Sequence, residues 1–146
     1  MAIMKERTWE RHSNPWSVWT RVLTNPLVYV PVWDRSWRQA VSVGVWFLLN
    51  PRLFPPPEDD SSWATRSVLG EQMWTRKLHA DLPLAQSMLS ALFFLLAFYS
   101  AYTHRLWRLV SFGGFALAFK LWFLERMVAY YEEHLTRPWW RRLLGS

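Results

Sequence analysis

The chain has 146 residues, among them twelve Trp and nine Pro, with seventeen Lys and Arg against eleven Asp and Glu and no Cys. That composition excludes disulfides, thiolate nucleophiles and Cys-ligated metals, and the length suits one domain. A mean hydropathy of -0.07 hides strong segregation: charges crowd the ends and the middle, and apolar residues gather in blocks that read as membrane segments.

Residues 1–15 are polar, and Met1 to His12 lacks the apolar core of a cleavable signal peptide, so the first membrane segments are expected to direct insertion themselves. Ser13-Asn14-Pro15 reads as a helix start, with Ser or Asn capping and Pro in the first turn. From Trp16 to Trp33 the chain is apolar apart from Arg21, and Asn25-Pro26 and Pro31 interrupt it. This predicts either a kinked crossing whose Arg21 snorkels to the headgroups or an interfacial turn with a shorter insertion. After a turn at Asp34-Arg35-Ser36, Gln39 to Leu49 returns. That stretch falls short of the roughly 20 residues a full span needs, so the first hairpin is expected to be short, kinked or partly re-entrant.

Asn50-Pro51 is expected to end that hairpin, and Pro55-Pro56-Pro57 to leave it as polyproline II. Glu58 to Ser62 is acidic and ends in capping residues. A helix from about Ser62 to His79 then places Trp63, Ala64, Val68, Trp74 and Leu78 on one arc. It reads as an amphipathic helix lying on the membrane surface, with Glu71 intruding on the apolar arc. Leu82 to Thr103 contains no charged side chain; as a helix it covers roughly 30 Å, the thickness of a hydrocarbon core. His104-Arg105 turns the chain, and Leu106 to about Leu124 crosses back, with Gly113-Gly114 near the middle as a place for close helix packing. Lys120 lies near the far end, and the helix is expected to continue through Glu125-Arg126 to Glu133.

The fold class predicted is all-α: an integral membrane helical bundle of two transmembrane hairpins, with four crossings and an interfacial helix. The first hairpin occupies 16–50, the proline-rich connector and interfacial helix 51–81, the second hairpin 82–131, and a basic tail 132–146. Four crossings put both termini and the connector on one side. The opposite turns then hold only Arg35, Arg38, Arg105 and Arg108 of the seventeen basic residues. The positive-inside rule makes the richer side cytoplasmic, which predicts a multi-pass protein of the cell inner membrane with both termini in the cytoplasm. Trp33, Trp37 and Trp107 mark the outer interfacial belt, and Trp16, Trp19, Trp63, Trp74, Trp122, Trp139 and Trp140 the inner one. The pI near 10.2 reads as charge facing anionic lipid rather than nucleic acid.

Candidate chemistry gathers on the cytoplasmic side. Glu71 and Glu125 offer an acid/base pair or metal ligands, with His12 or His134 completing a site. A structural network with Arg21, Arg66 and Arg126 accounts for the same carboxylates and is the favoured reading. The four His are scattered without ligand spacing, so no metal is predicted. His104 is an interfacial polar residue before it is a pigment ligand. Lys120 and the arginines Arg21, Arg52, Arg66 and Arg126 are expected to contact lipid headgroups. Phe93, Phe94, Phe98, Tyr99, Phe112, Phe115, Phe119 and Phe123 suit a pigment or quinone groove, but packing and lipid contact explain them as well, and no cofactor is predicted. No phosphate loop or nucleophile elbow occurs.

Four segments carry a resemblance. They read Arg-His-Ser-Asn-Pro-Trp-Ser-Val-Trp-Thr-Arg from Arg11, Asn-Pro-Arg-Leu-Phe-Pro-Pro-Pro from Asn50, Ser-Trp-Ala-Thr-Arg-Ser-Val-Leu-Gly-Glu from Ser62, and Lys-Leu-Trp-Phe-Leu-Glu-Arg-Met-Val from Lys120. Together they resemble a family of small prokaryotic membrane proteins known only as a domain of unknown function, over about residues 10 to 134. The resemblance implies the membrane architecture and brings no activity or cofactor. The function expected is a small accessory or scaffold subunit of a larger energy-converting or biosynthetic membrane complex, in contact with lipids and other membrane subunits. The competing expectation is an enzyme acting on a lipid or isoprenoid headgroup, with Glu71, Glu125, Arg52, Arg66 and Lys120 around it.

Overall fold

The computed structural model describes residues 6–77 and 80–136. Every regular element among them is helical: α1 Glu6–His12, α2 Pro15–Thr24, a 3-10 turn Asn25–Tyr29, α3 Val30–Trp33, α4 Trp37–Leu53, α5 Trp63–Thr75, α6 Leu82–Tyr102 and α7 Leu106–Thr136. The predicted residues Lys5, Leu78, His79, Arg137, Trp139, Trp140, Arg141 and Arg142 lie outside the described residues.

Local chemistry sets most of the boundaries. Asn14 caps α2, its Oδ1 accepting from Trp16 N at 2.9 Å, and Pro15 opens the helix where its missing N–H costs nothing. At Asn25-Pro26 the chain tightens into the 3-10 turn, since Pro26 has no N–H to donate and its ring crowds the preceding turn. The predicted kink is therefore a helix–3-10–helix arm. Arg35 and His104 take positive φ of 51° and 56° and close the two hairpin turns. Asp81 caps α6 through its Oδ1, which accepts from Leu84 N at 3.1 Å.

The α6–α7 pair forms the longest antiparallel contact, and the broken α2–α3 arm lies against α4 and α6. At the turn end, Arg35 Nη2 donates to Tyr102 O at 3.2 Å, and Trp33 meets the His104 ring edge-on at 4.7 Å. Tyr29 sinks into a notch made by Ala97 and Ala101, both fully buried on one face of α6. At 1.5 Å per residue, α6 is about 32 Å long and α7 about 46 Å, so α7 overhangs its partner. On that overhang Phe123, Leu124 and Met127 form a core with Trp74 of α5. A second small core joins Trp9, Val18, Ala64 and Val68 of α1, α2 and α5. Both α6 and α7 are long and apolar enough to cross a membrane, and only 11 % of each apolar window is buried in the molecule.

Several expectations are corrected. The returning arm does not stop at Leu49: α4 runs through Asn50-Pro51 to Leu53, because a Pro in the last turn removes one bond while Asn50 gains tertiary ones. The stretch expected to be merely polar contains α1. The α5 helix does not lie bare on a surface; Ala64, Thr65, Ser67, Val68, Gly70 and Trp74 are buried. Trp74 is thus a core residue rather than a belt residue.

The close helix approach expected at Gly113-Gly114 is elsewhere. A Cβ on Gly114 would meet nothing within 4 Å, and one on Gly113 would meet only the Tyr29 ring, at 3.5 Å. The contact that demands glycine is at Gly70, where a Cβ would stand 2.0 Å from Met127 O.

Candidate functional site

At the open end of both hairpins the chain buries polar side chains that bond one another. Ser17 Oγ donates to Asn50 Oδ1 at 2.8 Å, and Asn50 Nδ2 donates to Thr20 Oγ1 at 2.8 Å. Asn14 Nδ2 reaches Pro55 O at 2.9 Å, and Thr65 Oγ1 reaches Ser13 O at 2.7 Å. Ser13, Ser17, Asn50, Thr65 and Ser67 are 0 % exposed. An unmet donor or acceptor here would cost about 1–3 kcal/mol, so each bond specifies one arrangement of α1, α2, α4 and α5. A satellite layer fastens α5 and the acidic stretch before it to the α7 overhang. Trp63 stacks on Trp19 and donates to Glu125 Oε2 at 2.5 Å. Arg66 pairs with Glu132 at 2.7 Å, and Tyr131 donates to Asp60 Oδ2 at 2.7 Å. That bond and, first, burial push the Tyr131 phenol up to about 12.

Inside this cap lies a charged cluster drawn from four helices. Arg21 Nη1 stands 2.6 Å from His12 Nδ1 and also contacts Nε2. Its Nη2 donates to His12 O and its Nε to Ser17 O, both at 3.0 Å. Burial first, then the Arg21 and Lys120 charges, lowers His12 to about 3, so its imidazole is neutral near pH 7 and accepts from the guanidinium. Lys120 Nζ donates to Glu71 Oε1 at 3.1 Å and sits 4.6 Å from the Phe123 ring centre. These four residues line a cavity of about 260 Å³ that Asn25, Phe47 and Leu117 also bound. Beside it, a cavity of about 300 Å³ is lined by Asn25, Ser87, Ser90, Leu117 and Lys120. A third space of about 430 Å³, almost wholly apolar, runs from Asn25 and Leu117 past Gly113 and Gly114 to Trp33 and Leu106.

The predicted site residues therefore divide. Glu71, Arg21 and Lys120 converge on the cluster with His12. Glu125 faces Trp63, apart from Glu71, so the two carboxylates do not share a site. Arg66 is tied to Glu132. Arg52 and Arg126 are exposed at the cap, Arg52 offering its carbonyl to Arg11. His134 bonds Tyr130 O and His104 occupies the far turn. The sequence marks the segments that hold Ser17, Asn50, Thr65 and Gly70, and the break at Asn25-Pro26, without assigning those side chains a partner. One signal was available: all three Asn of the chain precede Pro, at 14, 25 and 50. Two of them knit the cap; the third, Asn25, makes no side-chain hydrogen bond among the described residues and faces all three cavities.

The segments that interlock at the cap are those that carry the resemblance described above. A family model described as "Family of unknown function (DUF6653)" matches residues 2–138, and the chain belongs to that family. No curated protein matches it, and no solved structure does.

Proposed function

We propose that this member of the family is a multi-pass protein of the cell inner membrane that serves as a small accessory or scaffold subunit of a larger energy-converting or biosynthetic complex. The observation that carries the reading is the apolar outer surface of both hairpins. Leu48 on α4, Leu92, Leu95 and Tyr99 on α6, and Val110, Phe115 and Trp122 on α7 are exposed. Soluble monomers rarely expose contiguous apolar patches beyond a few hundred Å², whereas lipid and neighbouring membrane helices are natural cover for such a face. Four crossings follow in this reading. The second hairpin matches a hydrocarbon core in length. The seventeen residues of α4 rise about 25 Å, so the first hairpin crosses with help from Trp37 at one end and Arg52 snorkelling at the other. The basic majority around the cap then orients both termini to the cytoplasm.

The accessory role is favoured over an enzyme acting on a lipid or isoprenoid headgroup because the two carboxylates are separately committed. Glu71 holds Lys120 and Glu125 holds Trp63, which is the work of a structural network. Gentle extraction followed by native mass spectrometry tests the reading. Co-purification with other membrane subunits at fixed stoichiometry is expected, and Glu71→Gln and Glu125→Gln weaken that assembly. Recovery of the chain alone, with headgroup turnover that Glu71→Gln abolishes, would overturn it.

A further inference from the structure

We infer that the charged cavity at Asn25 and the apolar groove that shares Asn25 and Leu117 with it form one binding site for a single-chain amphiphile with an anionic head, a carboxylate or a phosphate monoester. The groove supplies the place for the chain. Its rim residues Val30, Leu106 and Val110 are exposed, so it opens sideways along α7. From Leu106 to Leu117 it runs about 17 Å at helical rise. Its volume of about 430 Å³ lies within the roughly 300–1,000 Å³ usual for ligand pockets. Gly113 and Gly114 keep its floor low, and nothing would touch a Cβ on Gly114.

The head end is set by charge. Arg21 and Lys120 bring two cations against the single carboxylate of Glu71, and His12 is neutral, so the cluster carries one uncompensated positive charge. That surplus is part-enclosed, Lys120 being 42 % exposed in its side chain, and it favours an anion beside it. Donors remain for it. Arg21 directs all three of its nitrogens to His12 and Ser17, Nη1 reaching both ring nitrogens, which leaves one N–H of its five, on Nη2, and Lys120 retains N–H beyond the one given to Glu71. Asn25, its amide unbonded among the described residues, lines both the groove and the charged cavity, and Ser87 adds a hydroxyl in the neighbouring cavity that Asn25 and Lys120 also line. A neutral head would leave the surplus charge unanswered. The inference rests on the membrane reading only in taking its ligand from the bilayer.

The test uses the full-length protein in a nonionic detergent, with hexadecanoate, hexadecyl phosphate, hexadecanol and inorganic phosphate as probes, read by native mass spectrometry and equilibrium dialysis. One anionic amphiphile per chain is expected, with the alcohol and inorganic phosphate each at least tenfold weaker. Which of the two anions binds more tightly identifies the head. Gly114→Leu fills the groove, and Asn25→Leu removes an amide that bonds nothing among the described residues. Both are expected to keep the wild-type unfolding midpoint while losing tenfold or more in affinity. Lys120→Gln is expected to lose a similar factor for the anions and nothing for the alcohol, and Lys120→Arg to recover it. Equal binding of alcohol and anion, inorganic phosphate binding as well as the amphiphiles, or unaltered binding in folded Gly114→Leu would overturn the inference. Because the readout is a small molecule on the isolated chain, its failure is separable from a failure to co-purify with other subunits.

Discussion

Around Ser17 and Asn50 the chain buries hydroxyls and amides that bond one another, whereas midway along α6 and α7 it buries Ala97, Ala101 and Ala116 and exposes Leu92, Leu95, Tyr99, Val110 and Phe115. In the cap Asn14, Ser17, Asn50 and Thr65 bond partners far along the chain, while Ser13 and Ser67 donate to the carbonyls of Glu10 and Ala64 one turn back. In the paired helices the interior contacts are the notch of Ala97 and Ala101 under Tyr29, the Ser90 hydroxyl on Ala116 O at 2.8 Å, and the stack of Phe93 on Phe119. The cap thus buries bonded polar side chains beside the small apolar core of Trp9, Val18, Ala64 and Val68, while α6 and α7 leave large apolar side chains exposed. Hydrogen bonds gain specificity where water is excluded, while small residues and dispersion contacts hold α6 against α7.

Substitutions should separate the two regions. The largest effect is expected at Gly70. Even Gly70→Ala places a methyl 2.0 Å from Met127 O, and backbone on both sides cannot yield without moving α5 off α7. A loss of about 3 kcal/mol or more follows from overpacking of this kind, measured by denaturant unfolding in micelles with Trp fluorescence. Gly114→Ala, facing open space, should leave the midpoint unmoved; if the two glycines behave alike, α5 is not docked as described.

Next comes Asn50→Ala, which strands the buried Ser17 hydroxyl and takes away the amide that Thr20 Oγ1 accepts from, Thr20 still donating to Trp16 O, and should cost about 1–3 kcal/mol. The same assay on Leu95→Ala, on the outward face of α6, should register little. An equal loss at both positions would erase the distinction between cap and helices.

A smaller effect is expected from acid. His12 is held near 3 in the fold against 6.5 in the open chain, so below pH 6.5 the unfolded chain takes up a proton that the native protein refuses. Stability should therefore fall as pH drops from 6.5 toward 3 and level off below, by at most about 2 kcal/mol at pH 5. His12→Gln should flatten that part of the unfolding-versus-pH curve; an unchanged slope would assign the loss to other groups. The smallest change belongs to Arg66→Gln. Its pair with Glu132 is part-exposed and should contribute under about 1 kcal/mol, shrinking further in high salt.

Much of this architecture was legible because the signals were local. The charge-free stretch of α6, the Asn14-Pro15 start and the kink at Asn25-Pro26 all follow from residues adjacent in sequence. What escaped depends on partners far along the chain. Asn50-Pro51 looks like a stop until Asn50 is seen bonded to Ser17 and Thr20 across 33 and 30 residues. Gly113-Gly114 resembles a packing motif and Gly70 does not, yet only Met127 decides which glycine is indispensable. Glu71 was singled out for intruding on an apolar arc, and its partner Lys120 lies on the overhanging helix. His12 was among the partners offered for Glu71, but Lys120 was assigned to headgroups, and that all four side chains meet depends on four helices converging at one cap.

Because the chain has no Cys, single cysteines can report its placement in sealed membrane vesicles with a membrane-impermeant thiol reagent. Asp59→Cys lies in the connector beside the cap, and Arg38→Cys and Arg105→Cys lie at the two hairpin turns, all exposed. The connector position should react only from the cytoplasmic face and both turn positions only from the opposite one. Labelling of cap and turns from the same face, or the intact chain recovered in solution without detergent, would contradict the account.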